Sequence, residues 1–179
     1  MKKVHFRSAK EVANLALFLA LLIGGQYAFS MIPGVEIVTV LFVSYVFCMG
    51  MARGMVAATA FSLLRQLLFG VFLNVLILYL IYFNFLAVVF GWWGTSARKK
   101  GTKKLWKITF VACLCTIGFT LLDNLLTPLW YGFAPRAIKA YVLASLPFLI
   151  PQMICTFLTV GYLFLPLEKA FSTALKNCL

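Results

Sequence analysis

The sequence predicts an all-α, polytopic membrane protein with six transmembrane helices, forming a single integral membrane domain over residues 1–179. Apolar types make up 64% of the chain, charged types 11%, and the mean hydropathy is +1.01. A soluble domain carries about 45–50% apolar and about 25% charged residues. A chain this poor in polar side chains cannot cover a globule in water. A soluble enzyme, a disordered chain and a nucleic-acid-binding domain are therefore unfavoured.

Length is the second observation, because a helix of about 20 apolar residues crosses the hydrocarbon core of a bilayer. Six apolar stretches fit along the chain with short loops between them. Each must be helical in lipid, since hydrocarbon offers no hydrogen-bond partner to an exposed backbone. The second and third stretches are short for a full crossing. The predicted segments are residues 11–31, 35–51, 54–70, 73–94, 106–127 and 141–166.

The ends of these stretches carry helix-breaking, basic or aromatic residues. The first segment stops at Pro33 and Gly34, the second at Arg53, and the third at Gly70. The fourth and fifth segments flank a basic loop over residues 95–107 and place tryptophans at its two sides. The sixth contains two internal prolines, which can kink a membrane helix and free carbonyl groups.

Basic residues set the predicted orientation. Thirteen of the 16 Lys and Arg residues fall in the N-terminal tail, the turn at Arg53, the 95–107 loop and the C-terminal tail. Six crossings place all four regions on one side, and an excess of Lys and Arg marks the cytoplasmic side. We therefore expect a multi-pass protein of the cell membrane with both termini in the cytoplasm. We attribute the net charge of +12 to the basic residues that set the membrane topology, and we expect no nucleic-acid partner.

Polar side chains are costly inside a bilayer, so their positions carry information. In segment five, Thr116, Thr120, Asp123, Asn124 and Thr127 recur on one helical stripe about 100° wide. The strongest polar groups belong to the predicted outer half, which indicates a pocket that opens outside and is closed by the 31–36 loop. The candidate substrate-binding residues are Glu36, Asn74, Tyr79, Tyr82, Asp123, Asn124, Trp130 and Gln152.

A second interpretation of the same polar groups stays open. Interhelical hydrogen bonds also hold membrane helices together, and Trp130 could anchor the chain at a bilayer interface. Arg65 in segment three could form a structural ion pair with Glu36 or Asp123. The five cysteines are expected to be small buried hydrophobes. No catalytic residue, cofactor or metal site is predicted, since the only histidine is His5.

The first segment presents small residues at a spacing of four, which lets another helix approach closely. Ala16, Ala20 and Gly24 are the candidate partner-docking residues, and Ala28 extends the ladder by one more turn. Packing within the chain is the alternative explanation.

Six segments in about 180 residues, cytoplasmic ends and the Ala16-Leu17-Phe18-Leu19-Ala20 element resemble the substrate-binding S component of an energy-coupling factor (ECF) transporter. The stretches 32–39, 62–65 and 68–70 are also similar to S components of Gram-positive bacteria. The resemblance implies an S-component-like bundle that binds a vitamin or related micronutrient. It further implies an AxxxA-type docking face at Ala16 and Ala20 for a transmembrane T component, with two cytoplasmic ATPases supplying the energy for uptake. The chain has no phosphate-binding loop of its own.

Two other functional classes stay open. A stand-alone secondary transporter would fit the hydropathy, although we find no internal repeat. A membrane-embedded lipid-modifying enzyme would need a nucleophile, base or metal cluster, and Asp123 is the only candidate acid that we expect to be strongly buried. The identity of the ligand does not follow from the residues.

Overall fold

The computed structural model describes residues 9–32, 34–100 and 105–178, and the regular elements of this part of the chain are all helices, without strands. The predicted all-α class is confirmed for it. Side chains of residues 98–100 and 175–178, and the predicted basic clusters before residue 9 and at 101–104, lie outside the described set. The helices are α1 (Ala9–Phe29), α2 (Val38–Met49), α3 (Met51–Phe69), α4 (Leu73–Lys100), α5 (Leu105–Tyr131) and α6 (Pro135–Cys178).

Four of these helices, α1, α4, α5 and α6, are long and apolar enough to cross a membrane. Helix α2 is apolar but has only 12 residues, about 18 Å of helix. Helix α3 is less apolar and contains Arg53 and Arg65. The chain is thus a membrane-type helical bundle, and the number of crossings stays a prediction.

Helix α2 occupies the centre of the bundle. Its residues from Val38 to Cys48 are all buried, and it packs against α1, α3, α4 and α6. Phe42 and Phe47 fill the core and make edge contacts with Phe83 and Phe164. An all-apolar helix without a polar face is stable where other helices cover every side, which explains why α2 shows no alternation of polar and apolar residues.

Helix α6 extends well beyond the predicted segment 141–166. It has 44 residues, about 66 Å of helix. Proline is tolerated in the first turn, so the helix can begin at Pro135. Its C-terminal part stays helical because it packs on the bundle, where Phe171 contacts the rings of Phe18 and Tyr45. A prediction from the length of the apolar stretch alone therefore makes this helix too short at both ends.

An ion pair ties α1 to α3. The Arg53 guanidinium donates to the Glu11 carboxylate at 2.7 Å, and the two side chains are 25% and 7% exposed. Removing one partner of a buried pair costs about 3–5 kcal/mol, and the partial exposure of Arg53 reduces this to about 1–3 kcal/mol. We expect Arg53→Met to lower the thermal midpoint of the detergent-purified protein, and Arg53→Met with Glu11→Gln to recover part of the loss. An Arg53→Met midpoint equal to that of the surface variant Lys139→Met would contradict this assignment.

Candidate functional site

A polar cavity of about 310 Å³ lies under the loop over residues 30–37. The C-terminal ends of α1 and α3 and the first half of α4 form its walls, and Phe119 of α5 closes one side. Ligand pockets usually measure about 300–1,000 Å³, so this cavity suits a small molecule. Of the eight predicted substrate-binding residues, it brings together Glu36, Tyr79 and Tyr82.

Arg65 supplies a positive charge to this cavity. Its guanidinium carbon lies 4.5 Å from the Tyr79 ring centroid and 5.3 Å from that of Phe69. The Nε and Nη1 atoms are buried and have no hydrogen-bond partner in the described part of the chain. Arg65 also forms no ion pair there, because Arg53 with Glu11 is the pair that the structure contains. The structural ion pair considered for Arg65 is therefore absent from the described residues.

Gln26 on α1 joins the polar wall. Its Nε2 donates to the Tyr79 hydroxyl at 3.0 Å, while its Oε1 is buried without a partner among the described residues. A buried polar atom left without a hydrogen bond costs about 1–3 kcal/mol. The unpartnered atoms of Gln26 and Arg65 thus offer one acceptor and two donors beside the same cavity.

Glu36 supplies a carboxyl on the loop side of the cavity. Its Oε1 accepts a hydrogen bond from the Thr39 hydroxyl at 3.0 Å. Burial raises the pKa of this carboxyl above its usual range, and hydrogen bonds from Thr39, Gln152 and Thr156 oppose that rise. Glu36 therefore keeps its proton to a higher pH than an exposed glutamate does.

The loop is fastened to the middle of α6. The Cys155 sulfur accepts from the Glu36 backbone N–H and donates to the Glu36 carbonyl, both at 3.3 Å. Gly34 lies so close to Pro151 that an added Cβ would sit 2.9 Å from the proline Cβ. These contacts hold the Glu36 carboxyl in place and cover the cavity.

A second cavity of about 340 Å³ lies between α5 and α6 and is lined by Asp123, Gln152 and Phe119 among others. The Asp123 carboxylate accepts from the Thr127 hydroxyl at 2.7 Å and from the Tyr141 hydroxyl at 2.8 Å. Phe119 lines both cavities and makes edge contacts with Tyr79 and Tyr82. The sequence predicts one pocket, and the structure divides these residues between two cavities that share Phe119.

The other candidate residues do not line either cavity. The Asn74 amide donates to the Thr127 hydroxyl and accepts from the Tyr131 hydroxyl, both at 3.4 Å. Asn124 donates to the Ser145 hydroxyl at 2.8 Å. Trp130 is 51% exposed. Asn74 and Asn124 thus make the interhelical contacts that the alternative interpretation describes, and Trp130 lies at the bundle surface.

The small-residue ladder of α1 faces away from the bundle. Ala16, Ala20, Gly24 and Ala28 are exposed, whereas Phe18 and Leu22 of the same helix are buried. A Cβ built on Gly24 would meet nothing within 4 Å. The ladder therefore takes no part in packing within the described chain.

Three cavity residues used in the argument above, Gln26, Arg65 and Phe119, are missing from the predicted set. Gln26 is an amide near the end of an otherwise apolar stretch. Polar side chains in such stretches were the signal used to select candidate residues in the other segments, and the same signal identifies Gln26. The sequence marks Arg65 as a polar residue in segment three, but we interpret it there as a partner in a structural ion pair. Phe119 carries no sequence signal that separates it from the other 17 phenylalanines.

The comparisons add no relative. No model of a known protein family matches the sequence, no curated protein matches it, and no solved structure matches the fold.

Proposed function

We propose that this protein is the membrane-embedded substrate-binding subunit of an ECF-type importer, which captures a vitamin-like small molecule for ATP-driven uptake by partner subunits. The observation that carries the proposal is the covered cavity of about 310 Å³, with buried Arg65 and Gln26 atoms that lack partners among the described residues. In a bundle this apolar, unpartnered polar atoms around one cavity are typical of a binding site for a polar ligand.

The proposal places all six helices in the bilayer. Trp106 and Trp130 on α5 are both exposed, and their separation of 24 positions in the sequence corresponds to about 36 Å along a helix. That separation suits two aromatic belts around a hydrocarbon core of about 30 Å. In this arrangement α2 and α3 cross inside the protein, where neighbouring helices make up for the short length of α2. The positive-inside rule then puts the cavity on the outer side.

The uncovered ladder of α1 supports the docking part of the proposal. Close approach between membrane helices depends on small residues along the contact, and Ala16, Ala20 and Gly24 offer a flat strip with no partner of their own in the described chain. We propose this strip as the contact for a transmembrane T component that carries two cytoplasmic ATPases.

The function is tested by purifying the tagged chain from its own membranes in mild detergent. We expect mass spectrometry to identify an ATP-binding cassette ATPase pair and a second polytopic protein, together with a retained small molecule. ATP-dependent uptake by the reconstituted complex would support the proposal. Uptake by the chain alone, driven by an ion gradient, would instead assign a secondary transporter, and turnover of a lipid that is lost in Asp123→Asn would assign an enzyme.

The docking strip predicts a large and selective loss of assembly. We expect Ala16→Trp with Ala20→Trp to reduce recovery of the partner subunits at least about tenfold, because two indoles prevent close helix approach. Ligand retention should not change, since neither residue lines the cavity.

Leu121→Trp is the matched control, because it adds the same ring at another exposed helix position. Equal recovery of partners by the double variant and by the control would show that α1 is not the docking helix.

A further inference from the structure

Arg65 and Glu36 place a guanidinium and an acidic side chain on the walls of the cavity under the 30–37 loop. No ion pair joins the two side chains within the described chain. Each instead meets neutral neighbours: Arg65 lies over the rings of Phe69 and Tyr79, and the Glu36 carboxylate accepts from Thr39. Buried charges are usually paired, so both side chains lack an ionic partner that a ligand could provide.

The positive side favours a carboxylate. The guanidinium has two buried N–H-bearing atoms, Nε and Nη1, without partners among the described residues. These two atoms lie on different edges of the guanidinium plane, so each can donate a separate charge-assisted hydrogen bond to a carboxylate oxygen. A phosphate would bring close to two negative charges, and Arg65 is the one basic residue among those lining the cavity.

Aromatic rings fill the space between the two charges. Tyr79, Tyr82, Phe83 and Phe119 line the cavity and contact one another edge to face or tilted. Such walls favour a flat apolar body. The volume of about 310 Å³ lies at the lower end of the range for ligand pockets, which favours a compact molecule over a nucleotide-sized one.

From this arrangement we infer that the cavity binds a small zwitterion: a flat, largely apolar molecule with one carboxylate held by Arg65 and one protonated nitrogen held by Glu36. The inference rests on the proposed function, since it takes this cavity as the substrate site. It adds the chemical class of the substrate, which neither the sequence pattern nor the resemblance supplies.

The test uses three probes of nearly equal shape on the detergent-purified full chain, after dialysis to remove any retained ligand. 4-(Aminomethyl)benzoate carries both charges, 4-methylbenzoate carries only the negative one, and 4-methylbenzylamine only the positive one. Dissociation constants are measured by titration calorimetry. We expect the zwitterion to bind at least about tenfold more tightly than either single-charge probe, because hydrogen bonds to charged groups are worth more than neutral ones.

Two substitutions test which side chain binds the carboxylate of the probe and which binds its amine. Arg65→Met should abolish the preference for the carboxylate while keeping the preference for the amine, and Glu36→Gln should do the reverse. Arg65→Lys, which keeps the charge but changes the number and position of the N–H donors, should lose part of the carboxylate preference and covers the case in which Arg65→Met fails to fold. Arg136→Met and Glu168→Gln, at residues that do not line the cavity, should bind all three probes as the unmodified chain does.

Equal binding of the three probes, or binding of none, would overturn the inference, as would a retained natural ligand that is neutral or singly charged. These outcomes are separable from failure of the proposed function. If the chain selects the zwitterion but assembles with no ATPase, the inference about the ligand stands and the proposed importer function is refuted. A chain that assembles and retains a neutral compound refutes the inference alone.

Discussion

Gly94→Ala is expected to be among the most destabilising single substitutions in the chain, lowering the free energy of unfolding by about 3 kcal/mol or more. Helix α4 lies against the turn between α2 and α3, and a Cβ on Gly94 would overlap the Phe47 carbonyl oxygen. Backbone atoms of the central helix cannot move aside as a flexible side chain can. The added methyl group must therefore separate α4 from α2.

The nearby Gly91 should behave similarly, because its Cβ would lie 2.5 Å from backbone atoms of Met51. Gly118→Ala is the matched control, since it is the same substitution within helix α5 at a site with nothing within 4 Å. Alanine favours helix over glycine by about 0.8–1.0 kcal/mol, so this control should be neutral or stabilising. Thermal midpoints in one detergent compare the variants, and equal midpoints for Gly94→Ala and Gly118→Ala would refute the close contact.

Much of the fold followed from apolar length, and the exceptions have physical causes. The starts of α4 and α5 agree with the predicted segments to within a residue, because apolar runs and tryptophans mark them. Helix α6 is longer than predicted because packing of Phe171 on Phe18 keeps a more polar stretch helical. The central position of α2 could not be read from its sequence, since a fully buried helix and a lipid-exposed one are equally apolar.

Part of the site could be predicted from the sequence, because burying a polar group is costly and polar side chains in apolar segments are therefore candidates for function. That argument selected Glu36 and Tyr79, which line the cavity, and also Asn74 and Asn124, which hydrogen-bond between helices instead. Sequence position cannot separate these cases, because a pocket residue and a packing residue use the same side chains at the same spacing. What separates them is their place in the fold, since Glu36 and Tyr79 line the cavity although each also has a hydrogen-bond partner. For the Nε and Nη1 atoms of Arg65, the described residues supply aromatic rings and no acceptor.

Gly34→Ala is expected to release the loop over residues 30–37 from α6. Gly34 has φ of +81°, and its added Cβ would lie 2.9 Å from Pro151. A left-handed conformation costs a residue with a side chain about 1–2 kcal/mol, and the overlap with Pro151 adds to this. A change of that size shifts an opening equilibrium about 5- to 30-fold.

Cys155 reports this opening, because its sulfur bonds the Glu36 backbone only while the loop is fastened. In a chain with Cys155 as the only cysteine, Gly34→Ala should accelerate labelling by a small maleimide about tenfold or more. Gly132→Ala is the matched control, since Gly132 also has a positive φ, of +62°, but its Cβ would meet nothing within 4 Å. Gly132→Ala introduces the backbone strain of a positive φ but no overlap with α6, so labelling of Cys155 should not change. Equal acceleration by both variants would mean that general destabilisation exposes the thiol. Acceleration by Gly34→Ala alone would establish that the loop opens as a unit over the cavity, which is the motion that any ligand entering from that side requires.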